Sequence, residues 1–170
     1  MFRKMRRSMQ QLSREECEEI LRTSSSGVLA VLGDDEYPYT VPLNYVYENG
    51  KILFHGAKEG HKLDAIRNHD KVSFCVIARD TVIPEQGTTA YISVIAFGRA
   101  RIVDSKDELR LIAERISDKF SHDYMESFRE KTEGYLKADT LRCVEITIEH
   151  LTGKAGRTVM AERKAKQAGE

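Results

Sequence analysis

The residues with the most chemical character lie between Phe54 and Leu63. The run Phe54-His55-Gly56-Ala57-Lys58-Glu59-Gly60-His61-Lys62-Leu63 leaves an apolar strand, crosses two glycines and enters a helical pattern. Glycines let the backbone approach a ligand closely, and a helix start offers free N–H groups. Lys58, His61 and Lys62 add positive or protonatable groups at the same place, which is the donor set a small anion such as phosphate requires. The same run also fits a plain strand-to-helix turn with solvated lysines, the commoner use of such a pattern, and position does not decide between them.

A second feature is Val41-Pro42-Leu43-Asn44-Tyr45-Val46-Tyr47. Proline inside a strand removes a ladder donor, so Pro42 belongs on an edge or at a bulge, where neighbouring backbone groups are free to face a planar ligand. An ordinary edge strand explains it as well. Other chemistries lack their motifs. There is no Gly-x-Gly-x-x-Gly after a strand, no Walker-type loop, no Gly-x-Ser-x-Gly elbow and no His-Glu-x-x-His. His55, His61, His69, His122 and His150 are scattered, with no i, i+4 pair, so no metal site is expected.

These residues must be positioned by the elements around them, and the chain of 170 residues has the size of one domain. Its 27 Lys plus Arg balance 27 Asp plus Glu, so it lacks the field that gathers nucleic acid or anionic lipid. The longest uncharged stretch, Gln86 to Gly98, is polar in part and far shorter than a membrane span. The basic start, Arg3, Lys4, Arg6 and Arg7, lacks the apolar stretch of a signal peptide and reads as a solvated arm or a dimer contact. Cys17, Cys75 and Cys143 form an odd, widely spaced set, as expected of free thiols in a reducing cytoplasm.

Ser13 with Glu16 has the form of a capping box and predicts a first helix over 14–23. Val28 to Leu32 and Tyr39 to Tyr47 flank Gly33-Asp34-Asp35 as one hairpin, and Asn49-Gly50 turns into Lys51 to His55 as a second. A short helix is expected over His61 to Asn68, a strand over Lys71 to Arg79, a loop over Asp80 to Thr89, and a long strand over Ala90 to Val103, with Gly98 marking a bulge or bend. Asp107 to Phe120 carries a helical apolar stripe, Tyr124 to Asp139 fits no pattern, and Leu141 to Leu151 alternates as a half-buried strand. The expected fold class is mainly β with flanking helices, six or so antiparallel strands that close into a barrel, with residues 1–157 as the domain and 158–170 as a polar, frayed tail.

Tyr37 to Tyr47 and Asn49 to Asp64 together resemble the flavin-binding proteins related to pyridoxamine 5'-phosphate oxidase, in particular their nitroimidazole-resistance (NimA-like) branch. Ser93-Val94-Ile95-Ala96-Phe97-Gly98-Arg99-Ala100 and Thr152-Gly153-Lys154 are similar to that branch too. The resemblance implies an FMN-binding split β-barrel, a homodimer with the cofactor at the subunit interface. By position, Val41, Pro42, Leu43, Asn44 and Tyr45 run beside the flavin ring, and Phe54 and His55 close the strand near it. Gly56, Lys58, Gly60, His61 and Lys62 then hold the phosphate, and Ser93 reaches the flavin from the facing side. His55 is the candidate catalytic residue. The implied activity is electron transfer from FMN, with FAD a possible substitute, to a small planar acceptor such as a nitroaromatic, with NADH or NADPH as donor. A module that only sequesters flavin, deazaflavin or haem is the other reading the resemblance allows. The oxidases' C-terminal Trp and Arg segment is absent, since the chain has no Trp, so pyridoxal phosphate synthesis is not expected. His61 stands where the oxidases commonly carry arginine.

Overall fold

The Ser13 hydroxyl accepts the Glu16 N–H at 3.2 Å while Glu16 Oε2 accepts the Ser13 N–H at 2.7 Å, so two orphan donors are satisfied and helix α1 (Arg14–Thr23) starts where the capping box predicts. The structure is a computed structural model, and it describes residues 2–169. Strands β1 (Ser26–Leu32) and β2 (Pro38–Asn44) form the first hairpin, and β3 (Val46–Glu48) and β4 (Lys51–Ala57) the second. Asn49 and Gly50 have φ of 50° and 77°, the two positive values that a tight hairpin turn of this hand demands.

Next come α2 (His61–Asn68), β5 (Lys71–Ile83), β6 (Thr88–Val103), α3 (Lys106–Ser121), α4 (Met125–Lys137), β7 (Leu141–Ala155) and α5 (Arg157–Ala168). Every strand pairs antiparallel, in the order β2-β1-β5-β6-β7-β4-β3. This is a split-barrel α+β fold, with β2 and β3 as its edges, and Pro42 is on an edge strand where its missing N–H costs no ladder bond.

Three expectations change. The loop predicted over Asp80 to Thr89 is mostly ladder, because Asp80, Thr81, Val82 and Ile83 pair with Tyr91, Ala90, Thr89 and Thr88 and only a turn at Pro84–Gln86 remains. Tyr124 to Asp139 contains α4, whose one buried residue is Leu136 and which is tied to α3 by Arg110–Glu133 and Arg129–Glu114 at 2.5 and 2.9 Å. The predicted polar tail is helix α5. It buries Val159, rests Met160 on the core and pairs Glu162 with Arg79 at 2.7 Å.

Residues paired across antiparallel strands point to the same face. The inner face carries Leu29, Val31, Phe74, Val76, Val94, Ala96, Val144 and Ile146, and it is closed by Leu21 of α1, Leu63 and Ile66 of α2, and Val159 of α5. A second cluster lies on the outer face, where Leu53, Val103 and Cys143 meet Leu109, Ile112 and Ile116 of α3 and Leu136 of α4. The rest of the outer face is open and mixed, with an apolar row across it. One register row crosses five strands, Pro42–Val28–Cys75–Ile95–Thr152, and is flanked by Ile77 and Phe97. Ile77, Ile95 and Phe97 keep 62%, 38% and 37% of their surface exposed, which is the kind of contiguous patch that marks an interaction surface.

Candidate cofactor site

The start of α2 is built to leave donors free. Gly60 precedes it at φ 140°, a backbone conformation that glycine alone adopts without strain. The Leu63 and Asp64 N–H groups both turn back to the Gly60 carbonyl at 2.8 and 3.2 Å, and those of His61 and Lys62 have no backbone acceptor among the described residues. No side chain caps this end. It therefore presents the positive end of the helix, with two N–H groups, to whatever lies in front of it.

Lys62 and Gly56 are brought together. A Cβ on Gly56 would lie 3.3 Å from Lys62 Nζ, so the ammonium lies close over the end of β4. His61 goes to other neighbours: its ring stacks on Tyr39 at 4.2 Å between centroids, and its Nε2 is 3.7 Å from Asp34 Oδ2. The imidazole thus joins α2 to the β1–β2 hairpin rather than lying bare in solvent.

Lys58 is drawn elsewhere. Its ammonium is hydrogen-bonded to Asp139, whose other oxygen accepts from Arg142 Nη1 at 2.8 Å. The two cations hold the Asp139 carboxyl down at about 2, the Arg142 hydrogen bond contributing most. Arg142 is the cation that sequence reasoning missed. It is opposite Gly56 in the β4–β7 ladder, on the same face, with its side chain only 16% exposed. Because that register joins positions far apart in the chain, no local signal marks Arg142.

His55 is opposite Cys143 and Phe54 opposite Val144, so alternation sends His55 to the outer face and Phe54 into the core. Phe54 is 1% exposed and Tyr45 fully buried, so neither side chain lines the site; each can act there only through its backbone. The Tyr45 carbonyl already accepts from Lys119 Nζ at 3.1 Å, beside the Ser24 carbonyl at 2.6 Å. Along β2, Val41 and Leu43 pack against the core, whereas Pro42 and Asn44 point outward and the Asn44 amide donates to the Ser25 carbonyl at 3.0 Å. Ser93, paired with Ile77 and Lys154, is half-buried on the same open outer face.

The His55 ring keeps solvent contact, yet the atoms packed about it disfavour the imidazolium and lower its pKa below the ordinary 6.5. The ring is therefore neutral near pH 7, able to accept one hydrogen bond and donate another. Since the folded pKa is lowered, the unfolded chain binds more protons as pH falls through about 6.5, and the folded state loses stability there. An NMR titration of the imidazole resonances should place His55 below the value of an unstructured peptide; a midpoint at or above that value would contradict the packing.

Among the described residues there is no group of three or more His, Cys, Asp or Glu arranged to hold a metal. The three cysteines are free thiols, with burial raising Cys17 to about 11 and Cys143 to about 12. Among the described residues, no helix is long and apolar enough to cross a membrane.

A split barrel with open edges, an uncapped helix start and an ammonium laid over a glycine together make an α+β protein with a candidate small-anion site. Residues 13–155 match the model of the pyridoxamine 5'-phosphate oxidase family, and the chain belongs to that family. A search of the curated proteins found no match. Among solved structures, the fold is similar to that of a conserved hypothetical protein of Mycobacterium tuberculosis, with TM-score 0.77, 19% identity and 92% of each chain covered. It is similar also to a candidate 5-nitroimidazole antibiotic resistance protein of Bacteroides thetaiotaomicron, with TM-score 0.68, 16% identity and 85% and 86% of the two chains covered. An FAD- and haem-binding protein of Mycobacterium smegmatis gives TM-score 0.70 at 18% identity, over 87% of this chain and 74% of that one.

Proposed function

We propose that the chain is an FMN-binding flavoprotein that works as a homodimer and passes electrons from a nicotinamide nucleotide to a small planar acceptor such as a nitroaromatic. The observation that carries this reading is the placement of Lys62 Nζ over Gly56, at the end of the strand that leads into the uncapped α2 start. A flavin monophosphate matches that donor set: backbone N–H groups, one ammonium, and, in competition with Asp139, Arg142 beside Gly56 in register. Family membership supports it, as do similar folds in proteins described as binding FAD, or FAD and haem.

When bound, the flavin supplies the two-electron chemistry. The chain's own residues bind and orient it. The unpaired side of edge strand β2 offers backbone groups beside Pro42 and Asn44 to a planar ring. Neutral His55 offers a hydrogen bond at the end of β4. The open row Pro42–Val28–Cys75–Ile95–Thr152 has the apolar character of the surface a second copy would cover, and Ser93 is on that face. Free thiols suit a reducing compartment, and we place the protein in the cytoplasm.

Purified protein should carry a yellow ligand identified by mass as FMN, and anaerobic mixing with NADH or NADPH and a nitroaromatic should bleach the flavin and consume the acceptor. A protein that takes up no flavin on titration would end the reading; bound flavin that never turns over would leave a sequestering module instead. Ile95→Lys places a charge in the centre of the open row and should yield a folded monomer by light scattering with flavin affinity reduced about tenfold or more. A monomeric wild type would refute the shared site.

A further inference from the structure

Most arginines of this chain meet a carboxylate. Among the described residues, only Arg3, Arg6, Arg7 and Arg157 have no acidic partner within 4.0 Å. Arg6, Arg7 and Arg157 line one cavity of about 410 Å³, together with Ser8, Gln10 and two methionines, Met9 and Met160, and no acidic side chain lines it. Three exposed arginines without a carboxylate partner line one concavity, so an anion placed among them would be favoured by all three.

The backbone adds to the same demand. Helix α5 begins at this cavity with Arg157 as its first residue, after Gly156, with no side-chain cap and no acidic residue in its first turn. Its first backbone bond runs from Met160 N–H to the Gly156 carbonyl at 3.0 Å, and the N–H groups of Arg157, Thr158 and Val159 have no backbone acceptor among the described residues. An independent observation is Gln10, a wall residue only 6% exposed whose Oε1 has no hydrogen-bond partner. A buried amide oxygen left without a donor is costly, and that cost is relieved if the side chain turns to present its NH2 to a ligand oxygen in the cavity.

We propose that this cavity is a second anion site, separate from the α2 start, that takes the diphosphate of a small organic ester. Three guanidinium groups and a helix N-terminus balance roughly the charge of a diphosphate. The volume exceeds what one phosphate fills, and the methionine walls suit the organic part of the ligand. The site stands apart from the flavin reading, because its lining shares no residue with Lys62, Gly56 or the α2 start.

The test is calorimetric titration of the full chain, already saturated with FMN if it binds FMN, with pyrophosphate and with ADP. One site should appear for both, with ADP tighter. Arg7→Met and Arg157→Met should each weaken it about tenfold, Arg157→Lys should recover part of the loss, and Lys62→Met should leave it unchanged. Circular dichroism melts check that the variants fold; if either Met variant fails to fold, the Arg157→Lys affinity and the Lys62→Met control decide. Absence of binding, binding indifferent to Arg7 and Arg157, binding lost with Lys62→Met, or binding of polynucleotide without pyrophosphate would each overturn the proposal.

Discussion

Lys62→Met should bind FMN about 10- to 100-fold more weakly than the wild type and bind riboflavin, which has no phosphate, about equally well. A hydrogen bond to a charged group contributes about 1.5–3 kcal/mol in a protein, and every 1.4 kcal/mol is about tenfold in affinity. Methionine keeps the length and the apolar stem of Lys62, a half-buried residue, so the fold should survive and the loss should sit in the phosphate contact. Lys58→Met is the matched comparison. Lys58 is already engaged by Asp139, so a phosphate must compete for it, and its removal should cost only a few-fold. A Lys62→Met protein that retains wild-type FMN affinity, or that loses riboflavin in equal measure, would show that the phosphate is held elsewhere.

The contrast between the two lysines shows what a sequence can and cannot reveal. The placement of Gly56, Gly60, His61 and Lys62 between a strand end and a helix start was legible because strand end, glycine and helix start are local properties, written within a few residues of one another. The capping box at Ser13 and the Asn49-Gly50 turn were legible for the same reason. Arg142 was not, because its nearness to Gly56 is a matter of β4–β7 register. Nor was the engagement of Lys58, which depends on Asp139 standing at φ 52° before β7.

The same distinction explains the misplaced elements. Helix α4 has too narrow an apolar face to register as periodic, since Leu136 alone is buried against α3, and the ion pairs that accompany this packing exist only after folding. Helix α5 presents only Val159 and Met160 to the core amid charged residues, so its pattern reads as a tail until Arg79 accepts Glu162 as a partner. The extension of β5 and β6 past Arg79 pairs mostly exposed β5 residues with a β6 stretch in which Ala90 alone is fully buried, which leaves too little alternation to detect. The half-buried outer face is a further case. Alternation correctly reads one face of β5 and β6 as core, but it cannot show that Ile77, Ile95 and Phe97 stay open on the other.

Gly98→Ala should be the most damaging single methyl addition in the sheet. The β6–β7 register slips between Phe97 and Gly98, and at that slip the strands come so close that a Cβ on Gly98 would lie 2.2 Å from the Thr147 carbonyl oxygen and 3.1 Å from Ile146 Cγ2. A flexible side chain could swing away from such a clash, but a backbone carbonyl in a central strand pair moves only if the ladder parts. Overpacking a core costs about 1–3 kcal/mol, and a clash with backbone belongs at or above the top of that range. For a domain of this size, about 3 kcal/mol corresponds to a fall of roughly 6–12 °C in Tm. Gly50→Ala is the control: φ is 77° there and nothing lies within 4 Å of the added methyl, so only about 1 kcal/mol of backbone strain is expected. Urea melts of the two variants compare close packing with turn conformation directly. A Gly98→Ala protein as stable as Gly50→Ala would mean that β6 and β7 can separate at little cost. The proposed cofactor contacts should then be insensitive to the bulge, whereas a rigid bulge makes Gly98→Ala lose flavin affinity as well, because β6 carries Ser93 and β7 carries Arg142.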